Sequence, residues 1–251
     1  MQDLDAQILI LIEESAAALF NSFPDHFILF GGATLVLFHE SPRLSRDLDL
    51  LSSSGQLPEA KEIQAVVRDA LQSIAESLGL GQIEFQQDTG NAGLAKQWVL
   101  ANQRPLFSID LTTIGGNVLN TQIVKHIIAG IPQKSVLAPN ANYLLYQKCE
   151  AFLSRRHVKV RDAFDIHLLL SRGAILDNTL RPHLEDFLRM REFDAEFIEE
   201  RIQSVTPKLC TVELRPVLPA SVFDELEKQG FQPIHSSLRT VFAEWLEESP
   251  R

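Results

Sequence analysis

Apolar residues along the first part of the chain follow two kinds of pattern, one typical of helices and one typical of strands. Between residues 3 and 20 they return every three or four positions, as in an amphipathic helix. Residues 27–30 are all apolar and predict a buried strand, and residues 47–51 mix aspartate with leucine and predict a second one. Helical patterns lie over residues 33–39 and 60–78. The chain is therefore predicted to begin helix, strand, helix, strand, helix.

The middle of the chain favours strands, and the remainder favours helices. Strands are predicted at residues 82–86, 96–100 and 106–113. Helices are predicted over residues 140–154, 160–170, 178–191, 194–204, 219–229 and 235–247. This order indicates an α+β protein with a small mixed β-sheet and flanking helices in residues 1–135, followed by a helical bundle in residues 136–251.

Composition narrows the class of protein. The chain has 251 residues, 45% of them hydrophobic, and no apolar run reaches membrane-spanning length. The N-terminal stretch is acidic and lacks the basic region of a signal peptide. Two cysteines, Cys149 and Cys210, fit a reducing compartment, so we expect a cytoplasmic protein without membrane contact. The seven histidines lack metal-ligand spacing and indicate no zinc site.

The two aspartates of the second strand are the first candidates for chemistry. Asp47 and Asp49 are two residues apart, so on a strand their side chains share one face. Two such carboxylates can bind a divalent metal ion. This is the least that metal-assisted phosphoryl or nucleotidyl transfer requires. Aspartate is uncommon in strands, so the pair needs a reason. Two solvated aspartates at a strand end remain the alternative.

A Gly-Gly pair and a third aspartate extend this group. Gly31 and Gly32 lie between a strand and a helix, where backbone N–H groups can approach a phosphate, although most such pairs are merely tight turns. In the stretch FSIDLT, alternation places Ser108 and Asp110 on the same face. A third carboxylate could bind metal or accept the proton of an attacking hydroxyl. An exposed aspartate on a strand is the simpler interpretation.

The densest positive run in this acidic chain lies in KCEAFLSRRHVKVRDAFD. Lys148 and Arg155 are seven residues apart and so share a helix face. The run could clamp a triphosphate or an RNA backbone, even though the net charge of −10 argues against a general nucleic-acid coat protein. The alternative is a helix salt bridge from Arg161 to Asp165, with the rest a solvated turn.

Together these segments form an ordered series that resembles the nucleotidyltransferase-like toxins of the AbiEii/AbiGii family. This family is a branch of the DNA polymerase β-type superfamily, and the MenT toxins lie nearby. The series is FILFGGATL, RLSRDLDLL, FSIDL, YLLYQKCEAFLSRR and VRDAFDIHLLL. The resemblance implies an Mg²⁺- or Mn²⁺-dependent nucleotidyltransferase core that uses an NTP. It also implies a toxin of a toxin–antitoxin or phage-defence system, an acceptor such as a tRNA 3′ end, and a cognate antitoxin.

The resemblance also implies a role for each candidate residue. Asp47, Asp49 and Asp110 would hold metal and act in catalysis, together with Lys148 and Asp162. The nucleotide-binding positions would be Gly31, Gly32, Ser45, Lys148 and Arg155. Thr34 is a further candidate there, because the wider superfamily has Gly-Ser where this chain has Gly31-Gly32. A non-catalytic nucleotide-binding or partner-binding module with the same fold is the alternative, which incorporation of labelled NTP would separate from an enzyme.

Overall fold

The computed structural model describes residues 4–24, 26–53, 55–88, 94–113 and 122–247. These residues form two compact units. The first consists of residues up to Glu40 together with Leu44–Pro139, and the second of Ser41–Arg43 together with residues from Asn140 onward. The α+β class predicted from the sequence is confirmed, since one unit contains the sheets and the other is helical.

The first unit contains a five-stranded mixed sheet and three helices. The strands are β1 (Phe27–Phe30), β2 (Asp47–Ser52), β3 (Ile83–Asp88), β4 (Leu94–Ala101) and β5 (Arg104–Thr113), and the helices are α1 (Leu4–Ser22), α2 (Gly31–Phe38) and α3 (Ala60–Ser77). The strand order is β1-β2-β5-β4-β3. The β2–β5 pair is parallel, and the other neighbouring pairs are antiparallel.

One face of this sheet is buried against helices. Leu48 and Leu50 of β2 are buried and belong to a core that includes residues of α1 and α3. Helix α3 supplies a stripe at four-residue spacing, from Ile63 through Val67 to Leu71. Because side chains alternate along a strand, burial of these leucines directs Asp47 and Asp49 to the opposite face.

A two-stranded sheet in the first unit was missed by the sequence analysis. Strands β6 (Ile123–Ile127) and β7 (Ser135–Pro139) pair antiparallel, with a 3₁₀ turn at Ile128–Gly130. Most side chains of β6 are exposed. Burial therefore imposes no regular alternation on its sequence, which is why the pattern did not reveal it.

The second unit is helical. Its helices are α4 (Ala141–Ser154), α5 (Val160–Ser171), α6 (Leu180–Met190), α7 (Ala195–Gln203), α8 (Pro207–Leu214), α9 (Ala220–Lys228), α10 (Gln232–Val241) and α11 (Ala243–Glu247). Helix α8 was not predicted, and the single helix expected over 235–247 is divided into α10 and α11. In the part of the chain described, no helix combines the length and apolar character needed to cross a membrane.

Candidate active site

The pairing of β2 with β5 brings the three sequence-predicted aspartates together. Asp47 lies opposite Ser108, and Asp49 lies opposite Asp110. Paired residues on neighbouring strands project from the same face, so three carboxylates share one surface. The Ser108 hydroxyl donates a 2.8 Å hydrogen bond to Asp47 Oδ1 and fixes that carboxylate. We refer to this surface as the carboxylate face.

A lysine that the sequence analysis did not single out also lies on the carboxylate face. Lys96 of β4 is paired with Asp110. Its Nζ donates a 2.9 Å hydrogen bond to Asp110 Oδ2 and lies 3.8 Å from Asp47 Oδ1. Burial by itself lowers the pKa of Lys96, but the hydrogen bond to Asp110 and the three carboxylate charges together raise that pKa above its usual value. Lys96 is therefore a firmly held cation.

Glycine at position 31 allows Asp49 to reach the start of α2. Gly31 follows β1 directly and has a φ of +75°, which favours glycine. A Cβ at this position would lie only 1.9 Å from Asp49 Oδ2. The Asp49 carboxylate therefore lies against the Gly31 backbone, near helix N–H groups that have no partner within the helix. The Gly31-Gly32 turn is thus part of the same local group.

Two other predicted phosphate-binding hydroxyls differ in their surroundings. Thr34 is fully buried, and its Oγ1 donates a 3.3 Å hydrogen bond to the Leu29 carbonyl. The Thr34 hydroxyl therefore bonds within α2 and its surroundings, and a role as nucleotide ligand stays a prediction. Ser45 is partly exposed and precedes Asp47 by two positions, in the segment that leads into β2.

The second unit gathers the remaining predicted residues around Lys148 of α4. Its Nζ lies 2.7 Å from Asp165 Oδ2 and 3.4 Å from Asp162 Oδ1, both on α5. Arg155, at the end of α4, forms an ion pair with Asp162, with Nε 2.7 Å from Oδ2, although the two groups are not aligned for a hydrogen bond. Three predicted residues, Lys148, Arg155 and Asp162, therefore belong to one ion-pair cluster.

Arg43, which local spacing does not connect to α5, completes this cluster. The buried Arg43 forms a bidentate ion pair with Asp165. Its Nε donates a 2.9 Å hydrogen bond to Oδ1, and its Nη2 donates a 3.0 Å hydrogen bond to Oδ2. Burial alone raises the pKa of Asp165, but Lys148 and Arg43 outweigh that effect and hold the pKa below its usual value. The alternative Arg161–Asp165 helix bridge is wrong, because Asp165 pairs with Arg43 and Lys148 while Arg161 is exposed.

Comparison with known proteins identifies the family. A family model described as "Nucleotidyl transferase AbiEii toxin, Type IV TA system" matches residues 16–245. The chain belongs to the AbiEii nucleotidyl transferase toxin family. The resemblance inferred from the motifs is confirmed, and as a member of this family the protein is a transferase.

Solved structures resemble this chain in fold. A candidate nucleotidyltransferase from H. pylori superposes with a TM-score of 0.57 and 14% identity, covering 100% of both chains. JHP933 from Helicobacter pylori superposes with a TM-score of 0.54 and 14% identity, covering 99% of this chain and 95% of that one. At this identity the likeness shows the fold alone. A search of curated proteins found no match.

The carboxylate face of this AbiEii protein suits a hard divalent cation in the chemistry of its donors. Its ligands would be carboxylate oxygens, which Mg²⁺ prefers. Asp110 Oδ1 is buried and has no hydrogen-bond partner, so one oxygen is available to a cation. Within the described residues, no three acidic, histidine or cysteine side chains converge closely enough to form a ready metal cage. The ammonium of Lys96 lies within 4 Å of two of these carboxylates.

Proposed function

We propose that this protein transfers a nucleoside monophosphate from an NTP to an acceptor hydroxyl, with Mg²⁺ or Mn²⁺ as cofactor. The placement of Asp47, Asp49 and Asp110 on one face of neighbouring strands, beside the Gly31 turn, is the observation that supports the proposal best. These three carboxylates would hold the metal, which when bound neutralises charge on the triphosphate and on the leaving pyrophosphate.

The chain's own groups then position the reactants. Asp110, whose side chain is 14% exposed, accepts the proton of the acceptor hydroxyl as that oxygen bonds to the α-phosphorus and pyrophosphate leaves. Backbone N–H groups of Gly31 and Gly32 and the hydroxyl of Ser45 donate hydrogen bonds to phosphate oxygens. No covalent enzyme intermediate is needed, since positioning and electrostatic stabilisation suffice.

Lys148 and Arg155 are proposed to bind the triphosphate, on the strength of the family resemblance. The ion-pair cluster supports a positioning role for Asp162, because this carboxylate contacts both cations, Lys148 at 3.4 Å and Arg155 at 2.7 Å. Two carboxylates against the three cations Arg43, Lys148 and Arg155 leave an excess of positive charge, which suits a phosphate ligand.

We further propose that the protein acts as the toxin of a toxin–antitoxin or phage-defence system, in the cytoplasm, with tRNA as acceptor. The exposed run Arg155, Arg156, His157 and Lys159 supports a phosphate-rich acceptor. A cytoplasmic location would supply both the NTP and the tRNA. A cognate antitoxin is expected, because the family description names a toxin–antitoxin system.

The test uses NTP labelled at either the α- or the γ-phosphate, with Mg²⁺ or Mn²⁺ and total RNA. We expect α-label but not γ-label to enter RNA, and Asp47→Asn to abolish the incorporation. Asp69→Asn on the exposed surface of α3 is the matched control and should transfer normally. Transfer of γ-label would instead show phosphoryl transfer. NTP binding without any incorporation would favour the non-catalytic binding module.

A further inference from the structure

We infer that Lys96 is a built-in cation that occupies the carboxylate face in place of metal and sets the metal affinity of that face. A divalent cation would bind by displacing the Lys96 ammonium from Asp47. The inference rests on the proposed function, because it takes Asp47, Asp49 and Asp110 to be the metal ligands.

The strand register explains why such a cation is needed. Lys96, Asp110 and Asp49 form a row across three neighbouring strands, because Lys96 is paired with Asp110 and Asp110 with Asp49. Like charges directly opposite each other destabilise a sheet. Asp47, two positions along β2, adds a third negative charge to the same face. The Lys96 ammonium offsets part of this repulsion when no metal is bound.

Lys96 lies at different distances from its two carboxylate partners. The longer contact is the one that a bound metal would break. Its Nζ is 2.9 Å from Asp110 Oδ2 but 3.8 Å from Asp47 Oδ1. The same Nζ lies 4.8 Å from the centroid of the Trp98 ring, a favourable position for a cation. The ammonium can therefore give up Asp47, its weaker partner, and keep Asp110 and Trp98 as neighbours. Asp47, with a side chain 45% exposed, is the open end of the site.

The experiment measures Mn²⁺ binding by calorimetry or electron paramagnetic resonance, together with the melting temperature in EDTA and in Mn²⁺. Lys96→Met keeps most of the aliphatic chain and removes the charge. Because a nearby positive charge opposes binding of a divalent cation, we expect this variant to bind Mn²⁺ roughly tenfold more tightly than wild type. It should also melt at a lower temperature in EDTA, where three carboxylates lack their counter-ion, and gain more from added Mn²⁺.

Three further variants make the result specific. Lys96→Arg keeps the charge and should retain the wild-type Mn²⁺ affinity. Lys61→Met removes an exposed lysine of α3 and should leave both affinity and melting temperature unchanged. If Lys96→Met does not fold, Lys96→Gln, which keeps a donor for Asp110 without charge, should show the same gain in affinity. Asp47→Asn should lose Mn²⁺ binding, which locates the measured site.

Failure of the inference and failure of the proposed function give different results. If wild type binds Mn²⁺ through Asp47 but removal of the Lys96 charge leaves the affinity unchanged or weaker, the displacement inference is wrong and the proposed metal site stands. If wild type binds no Mn²⁺, or if Asp47→Asn binds it as well as wild type, the proposed metal site is wrong and this inference fails with it.

Discussion

At the scale of single residues, the Asp49 carboxylate lies against the backbone of Gly31. It occupies the space that a side chain at position 31 would need. The positive φ of Gly31 alone favours glycine, and the 1.9 Å approach of a built Cβ to Asp49 Oδ2 adds a direct clash. One position thus controls both the turn into α2 and the placement of a proposed metal ligand.

We predict that Gly31→Ala displaces Asp49, lowers nucleotidyl transfer by at least about tenfold and destabilises the fold by more than the roughly 1–2 kcal/mol cost of left-handed backbone. Gly79→Ala is the matched control, because Gly79 has a φ of +73° but open space where its Cβ would lie. That variant should lose only the stability that a left-handed backbone costs an alanine, and it should keep its activity. Thermal unfolding and α-label incorporation measure the two effects. Equal losses of both quantities in the two variants would contradict a specific contact with Asp49.

Sequence alone could identify some of these residues but not their neighbours. The i, i+2 spacing of Asp47 and Asp49 fixes their common face wherever a strand forms. The position of Asp110 depends on which strands pair and in which register, which local sequence does not specify. Lys96 joins the carboxylate face for the same reason, since its partner Asp110 lies on another strand. A single lysine in a strand gives no signal of such a role.

At the scale of elements, buried ion pairs link helix α5 to helix α4 and to the Ser41–Arg43 segment. Asp165 of α5 is fully buried between Arg43 and Lys148. Breaking a buried ion pair by removing one partner typically costs about 3–5 kcal/mol, because the remaining charge stays in an apolar environment. Arg43 is therefore expected to matter far more for folding than an exposed arginine.

We predict that Arg43→Met lowers the free energy of unfolding at pH 7 by more than about 1 kcal/mol and by up to about 3–5 kcal/mol, since Lys148 still contacts the buried Asp165. The pKa of Asp165 in the folded protein lies below its ordinary value of 3.8, so this stabilisation is present above that pH and is lost as pH falls through the lowered pKa. The cost of the substitution should therefore shrink as the pH is lowered below 3.8.

Urea unfolding of wild type and variant at neutral and acidic pH measures this difference. Arg239→Met is the control, since it breaks an exposed pair with Glu199 and should cost less than about 1 kcal/mol. A cost for Arg43→Met as small as that of the control, or one that does not change with pH, would show that the Arg43–Asp165 pair contributes little to stability.

Helices and strands were predictable where burial imposes a regular pattern of apolar residues on the sequence. They were missed where burial imposes no such pattern. Strand β1 lies over the predicted residues 27–30, because its four side chains are all apolar. Strand β6 shows no such pattern. Helix α8 did have a signal: Thr206 caps it by accepting a hydrogen bond from the Leu209 N–H, and Pro207 occupies the first turn. The Arg43–Asp165 pair spans 122 positions, so helical spacing suggested the nearby Arg161 instead.

At the scale of the whole molecule, a net charge of −10 means that an RNA acceptor needs a local positive surface. The run Arg155–Lys159 supplies exposed cations, and Arg156 is among them. The family could be predicted from the sequence because its motifs occur in a fixed order along the chain. The acceptor could not, because its recognition depends on surface groups that carry no periodic pattern.

We predict that RNA binding weakens steeply with salt and that the double substitution Arg155→Ala and Arg156→Ala reduces this dependence. Each lost phosphate contact should lower the slope of log affinity against log salt by about 0.7. Fluorescence anisotropy with labelled tRNA at several salt concentrations measures the slope, with Arg189→Ala as an exposed control outside the run. An unchanged slope in the double variant would favour an acceptor other than RNA, or a different RNA surface.

The most decisive measurement is the initial rate of α-label transfer by Asp110→Asn, a variant that keeps the size of the side chain and removes its negative charge. If the third carboxylate, on a neighbouring strand, acts with Asp47 and Asp49, this rate should fall by about 10²-fold or more while the protein remains folded. Asp69→Asn, measured beside it, should transfer at the wild-type rate. A folded Asp110→Asn enzyme with near-wild-type transfer would show that the carboxylate face is not the centre of the reaction.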